Sequence, residues 1–265
     1  MLKSELYRIF KSTRGRVVSM IFILLPFMDV ILNWYEDFTG YEGYEYLIYE
    51  DLSHPAFASF LSGSSRGHVA QILLIWILPI YLLIAYSDSG ITDFKTGFKN
   101  FDFLRTGKKN YFISKLSASF IFPSLLTFFS LIINFIVCNI IFHGGNSFNG
   151  METDMDSNGF LFKITFNNPI ISYFVYILVF SFISGLVGVF VLSVSLISRN
   201  SFIAYPIAFF VWFLQIASKY SITYTIQPFI EYGIKYFLIG LFDCILITFV
   251  SLLILYFVRI KKDEV

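Results

Sequence analysis

Six long apolar stretches leave this chain few ways to fold. They run over Val17–Tyr35, Val69–Ser87, Leu116–Phe142, Pro169–Ser198, Phe202–Ser218 and Tyr236–Val258, each close to the about 20 residues a helix needs to cross hydrocarbon. In lipid a backbone must close its own hydrogen bonds, and runs this continuous do not alternate as the strands of a membrane barrel do. An all-α membrane protein with six transmembrane helices is the expectation. Apolar residues make up 57% of the 265 and charged ones 14%, too little polar surface for a water-soluble globule of this length. The segments between spans reach only about 30 residues, short for a separate domain, so residues 1–265 read as one transmembrane domain, with 17–258 as the bundle.

The net charge of +1 conceals a sorting by sign. Fifteen of the nineteen basic residues precede the first span, separate the second from the third and the fourth from the fifth, or follow the sixth. The opposite loops hold Arg66, Lys163, Lys219 and Lys235 against ten acids. Lys and Arg are retained on the cytoplasmic side, which predicts both termini inside and a multi-pass protein of the cytoplasmic membrane. The lipid bilayer is the first expected partner; nothing in the pattern points to nucleic acid. The first span lacks a small-residue cleavage site and reads as a retained helix. Cys138 and Cys244 fall inside spans and read as small buried apolar residues.

Residues 1–16 divide into an apolar face with Leu2, Leu6 and Ile9 and a polar one with Lys3, Arg8 and Lys11. This suits an amphipathic helix lying in the interface, or a basic flank anchoring the first span. Arg14-Gly15-Arg16 would supply the bend into the membrane. Within 88–115, Ile91, Phe94, Phe98, Phe101 and Leu104 recur at helical spacing, with Asp93, Lys95, Lys99 and Asp102 off that stripe. The spacing predicts one short helix ending at Thr106-Gly107, its aromatic face set against headgroups, the bundle itself or another protein.

The loop from Trp34 to Asp51 interleaves acids and aromatics, among them Glu36, Asp37, Tyr41, Glu42, Tyr44 and Glu45. Carboxylates and π-faces suit a cationic amphipathic ligand; an interfacial aromatic belt is the alternative. Asp29 and Asp243 stand inside spans, where a lipid-facing carboxylate is expensive, so both are expected to face the bundle or a wet cavity. They serve equally well as substrate-path or helix-packing residues. Ser181/Gly185 and Ser184/Gly188, four apart in the fourth span, predict a close helix contact. Pro26, Pro79, Pro123 and Pro206 lie inside spans and permit kinks.

No catalytic constellation is visible: no His-Glu-x-x-His, no Gly-x-Ser-x-Gly, and His54, His68 and His143 lack ligand spacing. No metal site or cofactor is expected in this chain. The phosphate loop is also missing, since Gly107-Lys108 has Asp102 where its first glycine belongs.

The layout resembles the permease subunits of type-two ABC exporters. The likeness rests on the opening Leu2-Lys3-Ser4-Glu5-Leu6-Tyr7-Arg8, the six spans, and Arg105-Thr106-Gly107-Lys108-Lys109-Asn110-Tyr111-Phe112-Ile113-Ser114-Lys115-Leu116. In that family a basic turn followed by Lys opens the third span, as Lys108, Lys109 and Lys115 do here. The resemblance implies a homo- or heterodimer with a second permease. It also implies a separate cytoplasmic ABC ATP-binding subunit that carries ATP and Mg. The coupling elements would be Ile91 to Leu104, with Phe94, Phe98 and Phe101, and the turn holding Arg199. It further implies a bacterial exporter; the acidic aromatic loop favours a peptide or a cationic antimicrobial substrate. A membrane immunity protein that sequesters a peptide toxin without transport is the competing expectation.

Overall fold

Helices account for the regular structure of the computed structural model, which describes residues 1–39, 52–62, 69–148, 150–151, 160–230 and 232–261. In chain order they are α1 (Leu2–Lys11), α2 (Thr13–Thr39), α3 (Val69–Trp76), α4 (Leu78–Leu82, running into a π-helical turn Leu83–Ser87), α5 (Ser89–Lys95), α6 (Phe98–Thr106) and α7 (Lys108–Ile141). They continue with α8 (Phe160–Asn167), α9 (Pro169–Ser198), α10 (Ser201–Ala217), α11 (Thr223–Ile226) and α12 (Ile234–Leu255, ending in a π-helical turn Tyr256–Ile260).

Four helical stretches, Thr13–Tyr35, Lys108–Ile141, Pro169–Ser198 and Ile234–Arg259, are long and apolar enough to cross a membrane. The chain is a helical, multi-pass membrane protein. The expected second span is not one straight helix, because Val69–Trp76 and Leu78–Lys95 meet at 57°. Pro79 explains the break: it has no N–H for the carbonyl of Ile75, four residues back. That carbonyl is taken instead by the Trp212 indole N–H of α10, at 2.8 Å. A similar repair serves Pro26, where the freed Phe22 carbonyl accepts from Ser130 of α7. The expected fifth span, α10, has 17 residues, about 25 Å of helix against about 30 Å of hydrocarbon. The chain beyond it is buried, with Ile222, Thr225 and Ile226 shut off from solvent.

α9 is the axis of the bundle. Most of it is buried, whereas α2, α7 and α12 bury only a minority of their residues and turn Leu, Ile and Phe outward as lipid-facing helices do. α9 packs chiefly on α7 and α12. The small pairs make this approach possible: a Cβ on Gly185 would strike Ser124 and Phe120, and one on Gly188 would strike the Ser119 carbonyl and Pro123. Thr127 and Ser184 hydrogen-bond across the same contact at 2.9 Å.

The bend after α1 falls at Ser12, whose backbone is extended, rather than in Arg14-Gly15-Arg16. Ser12 Oγ accepts the Gly15 N–H at 2.9 Å, starting α2 as a serine cap does. Gly15 allows the Ile9 carbonyl to pass where any Cβ would collide. Replacing Gly188 with Val is expected to cost about 1–3 kcal/mol by overpacking, read as a lowered melting temperature of the detergent-purified protein, while Ser198→Ala, at the exposed end of the same helix, leaves it unchanged.

Candidate functional site

The connecting elements gather at two ends. At the basic end lie α1, α5, α6, the turn 198–201 and Arg259; at the other lie residues 52–62, 142–148, α8 and α11.

At the basic end the segment expected to be one helix is two, α5 and α6, parted at Gly97, which has φ 72°. Its polarity is the reverse of a surface helix. Asp93 and Asp102 are buried, and Ile91 is in the core, so Ile91 has no surface to offer a partner. Phe94, Phe98, Phe101 and Leu104 are exposed, Leu104 at 90%, beside the polar Lys95, Asn100 and Arg105.

Asp93 turns inward to meet a buried cation. Lys115, fully buried in α7, lies 2.5 Å from Asp93 and donates to Ser89 Oγ at 3.2 Å. Asp93 also pairs with Arg8 of α1 at 3.2 Å and accepts from Tyr111 Oη at 3.4 Å. Arg8 in turn holds buried Glu5 at 3.0 Å, and the Tyr86 hydroxyl donates to Glu5 at 2.8 Å. Two carboxylates thus balance two cations, and the network ties α1 to α5 and α7. Burial works against the Arg8 charge, but Glu5 and Asp93 outweigh it and hold its pKa above the ordinary value. Burial first, then the same two carboxylates, push the nearby Asp102 carboxyl above the usual range.

The two expected coupling elements meet directly. Arg199, left-handed at φ 53° after α9, lays its guanidinium 3.8 Å from the Phe94 ring centre, a cation–π contact. Arg259 reaches the same helix end, donating to the carbonyls of Leu196 at 3.3 Å and Ile197 at 2.5 Å.

At the opposite end, residues 52–62 pass through the interior without regular structure. Turns within the segment and a bridge to Ser147 make some of their hydrogen bonds, and side chains of four helices supply others. Asn134 of α7 accepts the Phe60 N–H at 3.2 Å, and Tyr173 of α9 accepts that of Leu61 at 3.2 Å. Asn33 of α2 donates to the Ala58 carbonyl at 3.0 Å; Gln71 of α3 donates to those of Phe60 and Leu61 at 3.0 and 3.1 Å. Asn134 lies seven residues before the end of α7, about 10 Å inside it. Phe57, Phe148, Phe166 and Phe229 close over the segment edge to face.

Asp29 belongs to this inner structure, buried and bonded by Asn33 at 3.4 Å. Asp243 is half-buried on the flank of α12. Glu36 and Asp37 fall in the last turns of α2, while Tyr41, Glu42, Tyr44 and Glu45 lie outside the described residues. Cys138 and Cys244 are free thiols, both buried. Neither the charge network nor the buried segment was singled out from sequence. Unpaired acids on a helix with an otherwise aromatic stripe, and polar Asn and Gln inside spans, are the signals that could have found them.

Over 232 residues the chain is 33% identical to the uncharacterized protein YybM of Bacillus subtilis strain 168, covering 88% of this chain and 87% of YybM. No family model and no solved structure matches it.

Lys115→Met strands Asp93 in the interior and is expected to cost about 3–5 kcal/mol, most of it regained when Asp93→Leu is added; thermal unfolding of the single and double variants checks this. At the other end, His54 Nδ1 accepts the Ala56 N–H at 3.1 Å, and burial lowers the His54 pKa below its ordinary 6.5. The unfolded state then binds the proton more tightly, so the stabilisation is present above about pH 6.5 and falls away as pH drops through the folded value. Hydrogen-exchange protection around residues 54–58 is expected to fall on acidification below that point, and His54→Gln to remove the dependence.

Proposed function

We propose that this chain, a member of the same family as YybM, is the permease subunit of an ATP-driven ABC exporter, working with a second permease and with a cytoplasmic ATP-binding subunit. In this reading α2, the bent pair α3–α4, α7, α9, α10 and α12 make six crossings with both termini in the cytoplasm, in the bacterial cytoplasmic membrane. The basic end is then the cytoplasmic one, where the positive-inside rule puts it.

One observation carries the reading: α5 and α6 bury their acids and expose their aromatics. A lone water-facing helix gains nothing from presenting Phe98, Phe101 and Leu104, and such a patch marks an interaction site. The charge network supports a mechanical role for it, since a push on α5 reaches α1 through Arg8 and α7 through Lys115. The Arg199–Phe94 contact extends the same surface to the turn after α9. Aromatic docking plus a rigid mount is what force transmission from an ATPase requires. The chain supplies the path and the partner supplies ATP and Mg.

The substrate in this reading is a peptide or another cationic amphiphile. The plugged outer end supports a guarded path, because residues 52–62 and their aromatic cover leave no open channel through the described residues there.

Co-purification from the native host tests the proposal. An ABC ATP-binding subunit is expected with the wild-type chain and is expected to be lost when Phe98 and Phe101 are both changed to Asp, with membrane insertion unaltered. Recovery of the same subunit with the double variant, or of none with the wild type, removes the docking role; loss of toxin resistance without any ATPase points to sequestration instead.

A further inference from the structure

The space between α10 and α12 is open on its membrane side, and its two halves differ in chemistry. Toward the basic end it is an apolar groove of about 430 Å³, lined among others by Val194, Ile207, Val211, Leu246, Val250 and Ile254. That volume falls within the roughly 300–1,000 Å³ of small-ligand sites. One helical turn beyond its lining, on the same two helices, are two polar groups. Gln215, one turn beyond Val211 on α10, is 7% exposed, adjoins the Cys244 thiol, and its Nε2 has no hydrogen-bond partner among the described residues. Asp243, one turn before Leu246 and Ile247 on α12, is half-buried and makes no hydrogen bond or ion pair among the described residues.

Neither group is explained by the fold. A buried amide donor without an acceptor costs about 1–3 kcal/mol, and a carboxyl group inside a span calls for a partner. Asp243 is nine residues into α12, about 14 Å of helix from its first residue, inside the apolar stretch of that span. An ordinary membrane lipid fills the groove but not the requirement, because its phosphate sits at the headgroup level and would be repelled by a carboxylate. The complement is a molecule with an apolar body, an ammonium group and an adjacent acceptor oxygen. A lipophilic peptide carries all three at an amino end.

We propose that the cleft between α10 and α12 is a lateral binding site for a cationic amphiphile, with its apolar body in the groove, its ammonium group on Asp243 and a neighbouring carbonyl or hydroxyl on Gln215. Its service as an entry to the transport path rests on the permease reading; the binding itself does not. The site would admit substrate from the bilayer, where amphiphiles concentrate.

Full-length protein in phosphatidylcholine nanodiscs, labelled with a dodecylamine bearing a photoreactive tail, tests this. Label is expected on the α10 and α12 peptides, competed by dodecylamine and not by dodecanol. Asp243→Asn should weaken binding about tenfold, the loss of one charge-assisted contact, and Val250→Trp should abolish labelling by filling the groove. Equal competition by dodecanol, unchanged binding in Asp243→Asn, or label elsewhere overturns the site. So does exclusion of the probe by a second copy, seen as joining of copies through Val250→Cys. Both variants should still co-purify with the ATP-binding subunit, so a failed site with intact docking, or a working site with no ATPase, separates this inference from the permease reading.

Discussion

Hydrocarbon offers no hydrogen bonds, so a backbone group left open inside this bundle has to be answered by another part of the chain. The answers cross between helices. Pro79 and Pro26 each leave a carbonyl unpaired, and Trp212 and Ser130 from neighbouring helices take them up. Residues 52–62 have only turns and one bridge to Ser147, and borrow further donors and acceptors from Asn33, Gln71, Asn134 and Tyr173. The breaks and irregular stretches are therefore the points at which separate helices become one structure. Removing a single Asn or Gln there leaves a buried backbone group exposed to hydrocarbon, which makes these side chains structural in a way their polarity alone does not suggest.

The same rule applied to charge explains the basic end. Lys115 is 0% exposed, and an isolated ammonium group there would be untenable. Asp93 meets it, Arg8 shares Asp93, and Glu5 and Tyr86 complete the balance. With Asp93 and Asp102 turned inward, Phe103 packs beside them on Tyr111 and Phe112, and Phe94, Phe98 and Phe101 are left on the outward side. The exposed patch and the buried network are thus two sides of one helical pair.

Much of the architecture was legible in the sequence, for reasons that are physical. Long apolar runs and sorted charges reflect the bilayer directly, and the small residues of α9 announce close packing. Boundaries failed where a partner remote in sequence decides the outcome. Within Val69–Ser87 the kink that Pro79 permits was legible, but its size, 57°, was not, because hydropathy does not register the helix ladder. The stripe from Ile91 to Leu104 was readable as helical, but its orientation was not, since it depends on Lys115 and Arg8. Asp29 and Asp243 looked alike by depth, yet one is buried against Asn33 and the other stands on a flank. Residues 52–62 read as part of a loop because the groups that hold them come from four separate helices.

The charge network also has a consequence for how the protein is made. The partners of Glu5 and Arg8 are Tyr86 and Asp93, and Asp93 is itself fixed by Lys115. When the amino-terminal helix leaves the ribosome, none of these residues has yet been synthesised. Its first resting place must be the membrane surface, held by its own apolar side, until about a hundred further residues have been translated and threaded. α1 emerges well before the residues that fasten it, and faults in α7 should surface as an unmoored α1.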